Sequence, residues 1–280
     1  MRYPALDVSN ADSGFVLAVA DDYSLAAVQE HASFLTLFFA DSAVRVRAHE
    51  ALVRAFPSAQ VSCRDVDDED WARRSQQTLT PIAVGRLTIT PPWAAASRVG
   101  GIDDLEIIIE PSTGFGTGHH ATTRLCLAAL QALDLAGTTV IDVGTGSGVL
   151  ALSARLLGAH RVFAIDCDAD ALRNANDNLS LNPRIDNVVF ECVDLLDAAK
   201  RYIDEPIADV VLANLTGTML AREAETLVRF LRAPGRLIAS GLLVGERIEV
   251  ANAFRDAGDW NVVWEAEEDG WTGLVLSDSS

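Results

Sequence analysis

The chain has 280 residues, 49% of them hydrophobic, with 40 acidic against 22 basic side chains and a formal charge of −18. That length and apolar content suffice for one large or two ordinary domains. Without a basic cluster this acidity excludes direct binding of a nucleic-acid backbone, and no apolar run reaches membrane-spanning length.

Residues 1–66 read as a small α+β unit. The apolar run from Phe15 to Ala20 predicts a strand, and Ser24 caps a predicted helix from Leu25. Phe34 to Phe39 predicts a second strand. Asp41 caps a predicted helix to Phe56, and Gln60 to Arg64 predicts a further short strand. The acidic stretch from Asp65 to Asp70 closes the unit as a solvated linker. Residues 67–101 connect this unit to the rest. Val84 to Thr90 is strand-like and is halted by Pro91-Pro92-Trp93.

Residues 102–280 form the larger domain. Leu105 to Glu110 predicts a short strand, and from Thr122 onward strand and helix patterns alternate, as in a parallel sheet with covering helices. Helices are predicted over Thr122 to Leu133, Val149 to Leu157, Ala169 to Leu181, Met219 to Leu231 and Glu246 to Ala257. Ala233-Pro234-Gly235 ends the fourth of these. Strands are predicted over Thr139 to Asp142, Arg161 to Asp166, Val188 to Val193, Asp209 to Ala213 and Arg236 to Ser240. A hairpin of Asn261 to Glu267 and Trp271 to Leu276, turned at Asp269-Gly270, ends the domain. Cys126, Cys167 and Cys192 fall in predicted apolar elements and read as small core residues. With Cys63 they make no C-x-x-C pair, so no metal site is expected and the setting is soluble, reducing and cytoplasmic.

Ile141-Asp142-Val143-Gly144-Thr145-Gly146-Ser147-Gly148 is a strand that breaks into alternating glycines before a helix. Such a turn lets backbone approach a ligand closely. A dinucleotide site places its third glycine one residue later, where this chain has Val149, so a nicotinamide dehydrogenase is disfavoured. The turn resembles the first motif of S-adenosylmethionine-dependent methyltransferases. On that reading Gly144, Gly146 and Gly148 face the methionyl and ribose portion of the cofactor. Asp166 ends the next strand, where a carboxylate accepts hydrogen bonds from ribose hydroxyls. Asp194 ends the third strand, beside the adenine amino group, or simply caps the next helix. Asp142 orients the turn or the ligand's ammonium.

Asn214, followed by Leu215, stands at the carboxyl end of the fourth strand, in the crevice where open α/β sheets bind ligands. Its side-chain oxygen and nearby carbonyls are suited to accept hydrogen bonds from a substrate amine and aim the nitrogen lone pair at the methyl carbon. The plainer alternative is a turn-forming Asn. The loop from Pro111 to Thr123 carries Gly114, Gly116 and Gly118. Thr117, His120, Thr122 and Thr123 offer hydroxyl and imidazole groups near a helix start, which favours the methionyl carboxylate. Phe115 covers the cofactor or packs on the core. His120 reads as a hydrogen-bonding residue ahead of a general base, and His119 with His120 has no further metal ligands nearby in sequence.

With these residues in place the chain resembles the ribosomal protein L11 methyltransferases (PrmA-like). The family signature, close to Phe-Gly-Thr-Gly-x-His-Pro-Thr-Thr, stands here as Phe115-Gly116-Thr117-Gly118-His119-His120-Ala121-Thr122-Thr123. The family connector matches Asp70-Trp71-Ala72-Arg73 and Val84-Gly85-Arg86-Leu87 before Pro92-Trp93, and Asn214-Leu215 matches its Asn motif. The resemblance covers residues 70–276. It implies a Rossmann-like, seven-stranded α/β methyltransferase sheet with an antiparallel terminal hairpin, preceded by a small α+β, ferredoxin-like domain that recognises the substrate. It also implies S-adenosylmethionine as cofactor and a basic ribosomal protein as partner, methylated on lysine and N-terminal amines. Ala121 replaces the loop proline. The N-terminal unit is too short, on the predicted elements, for four strands and two helices, so a shortened ferredoxin-like domain is expected. Another protein's lysine or a small amine metabolite are the alternative acceptors, and a non-catalytic adenosyl-binding module would bind without turnover. The oligomeric state is not legible.

Overall fold

The computed structural model describes residues 2–23, 25–31, 33–67, 79–95, 105–111, 118–201 and 207–278. Contacts divide the chain into two units, Met1–Leu79 and Thr80–Ser280.

The first unit runs β1 (Arg2–Ser9), α1 (Ser13–Asp21), β2 (Leu25–Glu30), β3 (Phe34–Phe39), α2 (Ser42–Ala55) and β4 (Gln60–Asp67). Its four strands form an antiparallel sheet in the order β2-β3-β1-β4. Three expectations are corrected. Phe15 to Ala20 is helical, because the Asp12 side chain accepts from the Gly14 and Phe15 N–H groups at 3.0 and 3.2 Å and caps α1. Val16, Leu17 and Ala20 then bury one helical face. A short apolar run does not by itself distinguish a buried strand from a buried helix. The segment from Leu25 is a strand paired with β3, not a helix, and Ser24 lies outside the described residues. Strand β1 was not expected.

The domain is therefore a complete βαββαβ ferredoxin-like unit rather than a shortened one. Tight connections make the length sufficient: β3 passes into α2 across Ala40 and Asp41 alone, with Asp41 accepting from the Ala43 and Val44 N–H groups. Leu6 and Val8 of β1 pack with Val16, Ala20, Leu37, Phe39 and Leu52 in its core.

The second unit opens with a small sheet, β5 (Ile82–Val84), β6 (Leu87–Thr90) and β7 (Leu105–Ile108), with α3 (Pro92–Ala95) between β6 and β7. The run expected as one strand from Val84 to Thr90 is a hairpin turned at Gly85-Arg86, with Gly85 at φ +56°. Gln131 clamps it, accepting from Arg86 N–H at 2.7 Å and donating to the Val84 carbonyl at 2.8 Å.

The main sheet is built from β8 (Thr139–Val143), β9 (Arg161–Asp166), β10 (Val188–Cys192), β11 (Ala208–Asn214), β12 (Leu231–Leu243), β13 (Asn261–Glu268) and β14 (Trp271–Ser277). Its order is β10-β9-β8-β11-β12-β14-β13, in which β14 alone is reversed: it pairs antiparallel with both β12 and β13, and the other pairs are parallel. Its helices are α4 (Ala121–Gln131), α5 (Val149–Leu156), α6 (Ala169–Leu181), α7 (Leu195–Arg201), α8 (Gly217–Arg222), α9 (Ala224–Val228) and α10 (Arg247–Asp256). Cores form on both faces: Leu127, Leu130, Val140, Leu152 and Ile238 on one, Ile141, Val211, Leu220, Phe230 and Phe254 on the other. The order reverses between β8 and β11, so their carboxyl ends border the switch point where such sheets bind ligands.

Three further expectations change. The helix expected over Met219 to Leu231 is two short helices meeting at Glu223, and β12 already starts at Leu231. The residues around Pro234 lie inside β12 as an irregularity, since pairing with β11 jumps from Leu231 to Arg236 and proline has no N–H for the ladder. Cys126 is buried as expected, but Cys167 and Cys192 are exposed where β9 and β10 leave the core. No helix among the described residues is long and apolar enough to cross a membrane.

Candidate active site

At the end of β8 the Gly144 and Thr145 N–H groups both donate to the Ile165 carbonyl of β9, at 2.9 and 3.1 Å. The turn closes with Gly148 N–H on the Thr145 carbonyl at 2.9 Å. Gly144, Gly146 and Gly148 lie at φ +70°, +54° and +80°, a region that side-chain-bearing residues adopt at a cost. A Cβ at Gly144 would sit 2.7 Å from Leu215 Cδ2, and one at Gly148 3.1 Å from Phe190 Cζ. The turn is thus a cradle that side chains would fill, and it touches the residue after Asn214.

Asp142 is 1% exposed. Its Oδ2 accepts the Thr145 hydroxyl at 2.6 Å and the Ala151 N–H of α5 at 3.1 Å, while Oδ1 is buried with no partner among the described residues. It ties β8 to the turn and to α5 from beneath. Burial pushes its carboxyl from 3.8 up to about 7, against the pull of those two hydrogen bonds. The folded value lies above the unfolded one, so the stability this group contributes is fully present below pH 3.8 and lost as pH rises through about 7. His120, which precedes α4, has the opposite sign. Its stability is present above pH 6.5 and lost as pH falls through about 4. Asp142→Asn removes the first contribution and leaves the second. The melting temperature of the variant relative to wild type is therefore expected to rise from about pH 4 to about pH 7. A difference that stays constant across that range contradicts this reading.

Asp166, half-buried at the end of β9, accepts Gly146 N–H on Oδ2 at 3.0 Å and Asp168 N–H on Oδ1 at 2.9 Å. Next to it, Val193 N–H of the following strand end donates to the Asp166 carbonyl at 2.9 Å. Asp194 is exposed, and its Oδ1 accepts Leu196 N–H at 2.9 Å, so it does cap α7. Asn214 and Leu215 are half-buried at the end of β11. Asn214 pairs in register with Ser240 of β12, and Leu215 N–H donates to the Ser240 carbonyl at 3.0 Å.

At the start of α4, His120 Nδ1 takes the Thr122 hydroxyl at 2.8 Å and Thr122 N–H at 3.4 Å, capping the helix. The imidazole sits edge-on to Trp271 at 5.0 Å. Burial first, then the Arg124 charge, lowers its pKa to about 4 against the opposing pull of Asp269, so the ring is neutral near pH 7. Thr122 and Thr123 are buried. Arg124 binds Glu268 at 2.8 Å, Asp269 at 3.1 Å and the His119 carbonyl, fastening the terminal hairpin to this helix start. Sequence reasoning missed that clamp, because its partners lie some 144 residues away. Phe115 and Thr117 lie outside the described residues.

The structure therefore brings together the glycine turn, Asp166, Leu215 and, beneath them, Asp142. The backbone cradle with a carboxylate at the ends of β9 and β10 suits a ligand carrying vicinal hydroxyls and an amino-purine. No group of three metal-ligating side chains occurs among the described residues.

The family model described as ribosomal protein L11 methyltransferase (PrmA) matches residues 17–279. A ribosomal protein L11 methyltransferase of Pseudomonas savastanoi pv. phaseolicola is 36% identical over 251 residues, 88% of this chain and 81% of that protein. One from Streptococcus agalactiae serotype Ia is 34% identical over 247 residues, 84% of this chain and 76% of that protein. Among solved structures, the ribosomal protein L11 methylase of Lactobacillus delbrueckii subsp. bulgaricus aligns with a TM-score of 0.64 at 27% identity, covering 72% of this chain and 100% of that one.

Proposed function

The chain belongs to the ribosomal protein L11 methyltransferase family, and from that premise we propose that its sheet crevice methylates lysine and N-terminal amines of ribosomal protein L11. It is an S-adenosylmethionine-dependent protein methyltransferase. The acceptor, the residue roles and the division between domains are the proposal. The observation that carries it is the packing of Gly144 directly on Leu215. It sets Asn214 beside the turn that holds the methyl donor, at the switch point of the sheet.

S-adenosylmethionine supplies a methyl group activated by its sulfonium. Gly144, Gly146 and Gly148 let backbone approach its methionyl and ribose parts. Each Asp166 oxygen already accepts one backbone N–H, and a carboxylate has about four acceptor sites, so capacity remains for the ribose hydroxyls. Asp194 caps α7 with one oxygen, which leaves the other to accept from the adenine amino group. Asp142 shapes the turn from beneath. Asn214 accepts a hydrogen bond from the incoming amine and aims its lone pair, with the amine's proton passing to water. Leu215 closes the crevice against Gly144.

A histidine whose pKa is about 4 is a poor base for an ammonium. His120 therefore serves with Thr122 and Thr123 to fix the start of α4, and Phe115 and Thr117 are assigned to the cofactor from the family motif alone. Residues 1–66 recognise the protein substrate, 67–101 connect, and 102–280 perform the chemistry. The complete ferredoxin-like unit and the charge of −18 both favour a basic protein acceptor.

Radiolabelled S-adenosylmethionine, incubated with the chain and a lysate lacking this enzyme, tests the assignment. Label on a small basic ribosomal band supports L11 as the acceptor. Label on another protein moves the acceptor to another lysine, and its absence from all protein moves it to a small amine.

A further inference from the structure

We propose that Glu246 is an acceptor-binding residue, a carboxylate that meets the charge of the incoming amine beside Asn214. This rests on the sheet crevice being the site of methyl transfer to amines. Two segments leave the sheet side by side, at the carboxyl ends of parallel strands. One is Asn214–Gly217, which ends β11 and opens α8. The other is Ser240–Glu246, which ends β12 and makes a single 3-10 turn over Val244–Glu246. Asn214 and Ser240 pair in register, and a Cβ at Gly241 would lie 2.2 Å from the Leu215 carbonyl oxygen. Farther along the same seam, a Cβ at Gly217 would lie 2.5 and 3.0 Å from the two carboxylate oxygens of Glu246. The carboxylate therefore occupies the space that a side chain at residue 217 would take, against the segment that Asn214 begins.

Glu246 is half-buried, and its Oε2 accepts the Leu243 N–H at 2.8 Å, which fixes the head group on the turn leaving β12. No Lys or Arg pairs with it among the described residues. Arg247, next in the chain, is bound to Glu265 instead. A fixed, unneutralised negative charge thus stands on the ligand side of the sheet. Its chemistry suits the reaction. The amine arrives protonated, and a carboxylate attracts that ammonium into the crevice. Once the proton has passed to water, the nitrogen lone pair forms the bond to the methyl carbon. The carbon–sulfur bond breaks in the same step and its electron pair goes to sulfur. Positive charge thereby passes to nitrogen, where a fixed carboxylate nearby favours it. Asn214 aims the lone pair, and Glu246 supplies the opposing charge.

The test measures initial rates on purified, unmethylated ribosomal protein L11 with the full chain, beside calorimetry with S-adenosylhomocysteine. Glu246→Gln keeps the shape and an oxygen for the Leu243 N–H but removes the charge. It is expected to lower kcat/KM for L11 about fivefold to tenfold, with S-adenosylhomocysteine affinity within about twofold of wild type. Gly217→Ala keeps every charge but displaces the head group, which is the mobile end of a flexible side chain. Alanine itself suits the start of α8. This variant is expected to show a similar loss, and the double variant no further loss, because both changes act on one contact.

Glu246→Asp, which keeps the charge, is expected to retain more activity than Glu246→Gln. The reverse order marks a packing role and overturns the proposal. So does wild-type kcat/KM in Glu246→Gln, and so do losses in the two single variants that multiply in the double. A wild-type chain that binds S-adenosylhomocysteine but transfers no methyl to L11 overturns the acceptor reading itself, and this proposal with it.

Discussion

Asn214→Ala is expected to lower kcat by about a hundredfold or more while leaving S-adenosylhomocysteine affinity close to wild type. The residue ends β11, held by parallel pairing with Ser240 on β12 and by Leu215 N–H on the Ser240 carbonyl. Gly241, at φ +90°, packs against the Leu215 backbone so closely that no Cβ fits there. Asn214 is therefore set by rigid backbone on both sides, and truncating it removes an acceptor without moving the cradle. An amine that still binds but points its lone pair elsewhere is lost to transfer, which is a kcat effect. Initial rates at saturating S-adenosylmethionine and acceptor, beside a calorimetric titration, separate the two quantities.

Asp166→Ala should do the reverse, weakening S-adenosylhomocysteine by about 30-fold to 100-fold, with a smaller effect on kcat once cofactor saturates. Two losses combine. The ribose hydroxyls lose a charged acceptor, and Gly146 N–H loses the oxygen that holds the middle of the turn at 3.0 Å. Asp166→Asn, which keeps an acceptor for Gly146, is expected to fall between the alanine variant and wild type. Equal losses of cofactor affinity in Asn214→Ala and Asp166→Ala would sink the division of roles between β9 and β11.

The parts of the site legible in the sequence share one property: each ends an apolar strand in a short, polar or glycine-bearing stretch. Gly144, Asp166, Asp194 and Asn214 all do so, and β8, β9, β10 and β11 end at them or within two residues before them. What escaped the sequence depends on distance or on missing periodicity. Phe15 to Ala20 and Leu25 to Glu30 exchanged strand and helix because short apolar runs carry neither period clearly. The Asp12 cap was the one local signal that favoured a helix.

Asp142 is legible as a candidate site residue, but not as one sealed beneath the turn with an oxygen that has no partner among the described residues. That depends on α5 folding back so that Ala151 N–H reaches it. Asn178 and Asn182 look like ordinary polar positions of an exposed helix until β7, about 70 residues earlier, is laid against them. The N-terminal domain looked shortened because its connections are two to four residues long and β1 is not announced by an apolar run.

Methyl transfer to amines of one basic protein at the Asn214 crevice is the central proposal. The most direct test is intact-mass spectrometry of purified, unmethylated ribosomal protein L11 after incubation with S-adenosylmethionine and either the wild-type chain or Asn214→Ala. Whole-methyl mass increments on lysine or N-terminal amines are expected with wild type, and almost none in the same time with the variant. An L11 mass that stays unchanged with a wild-type chain shown to bind S-adenosylhomocysteine would contradict that proposal.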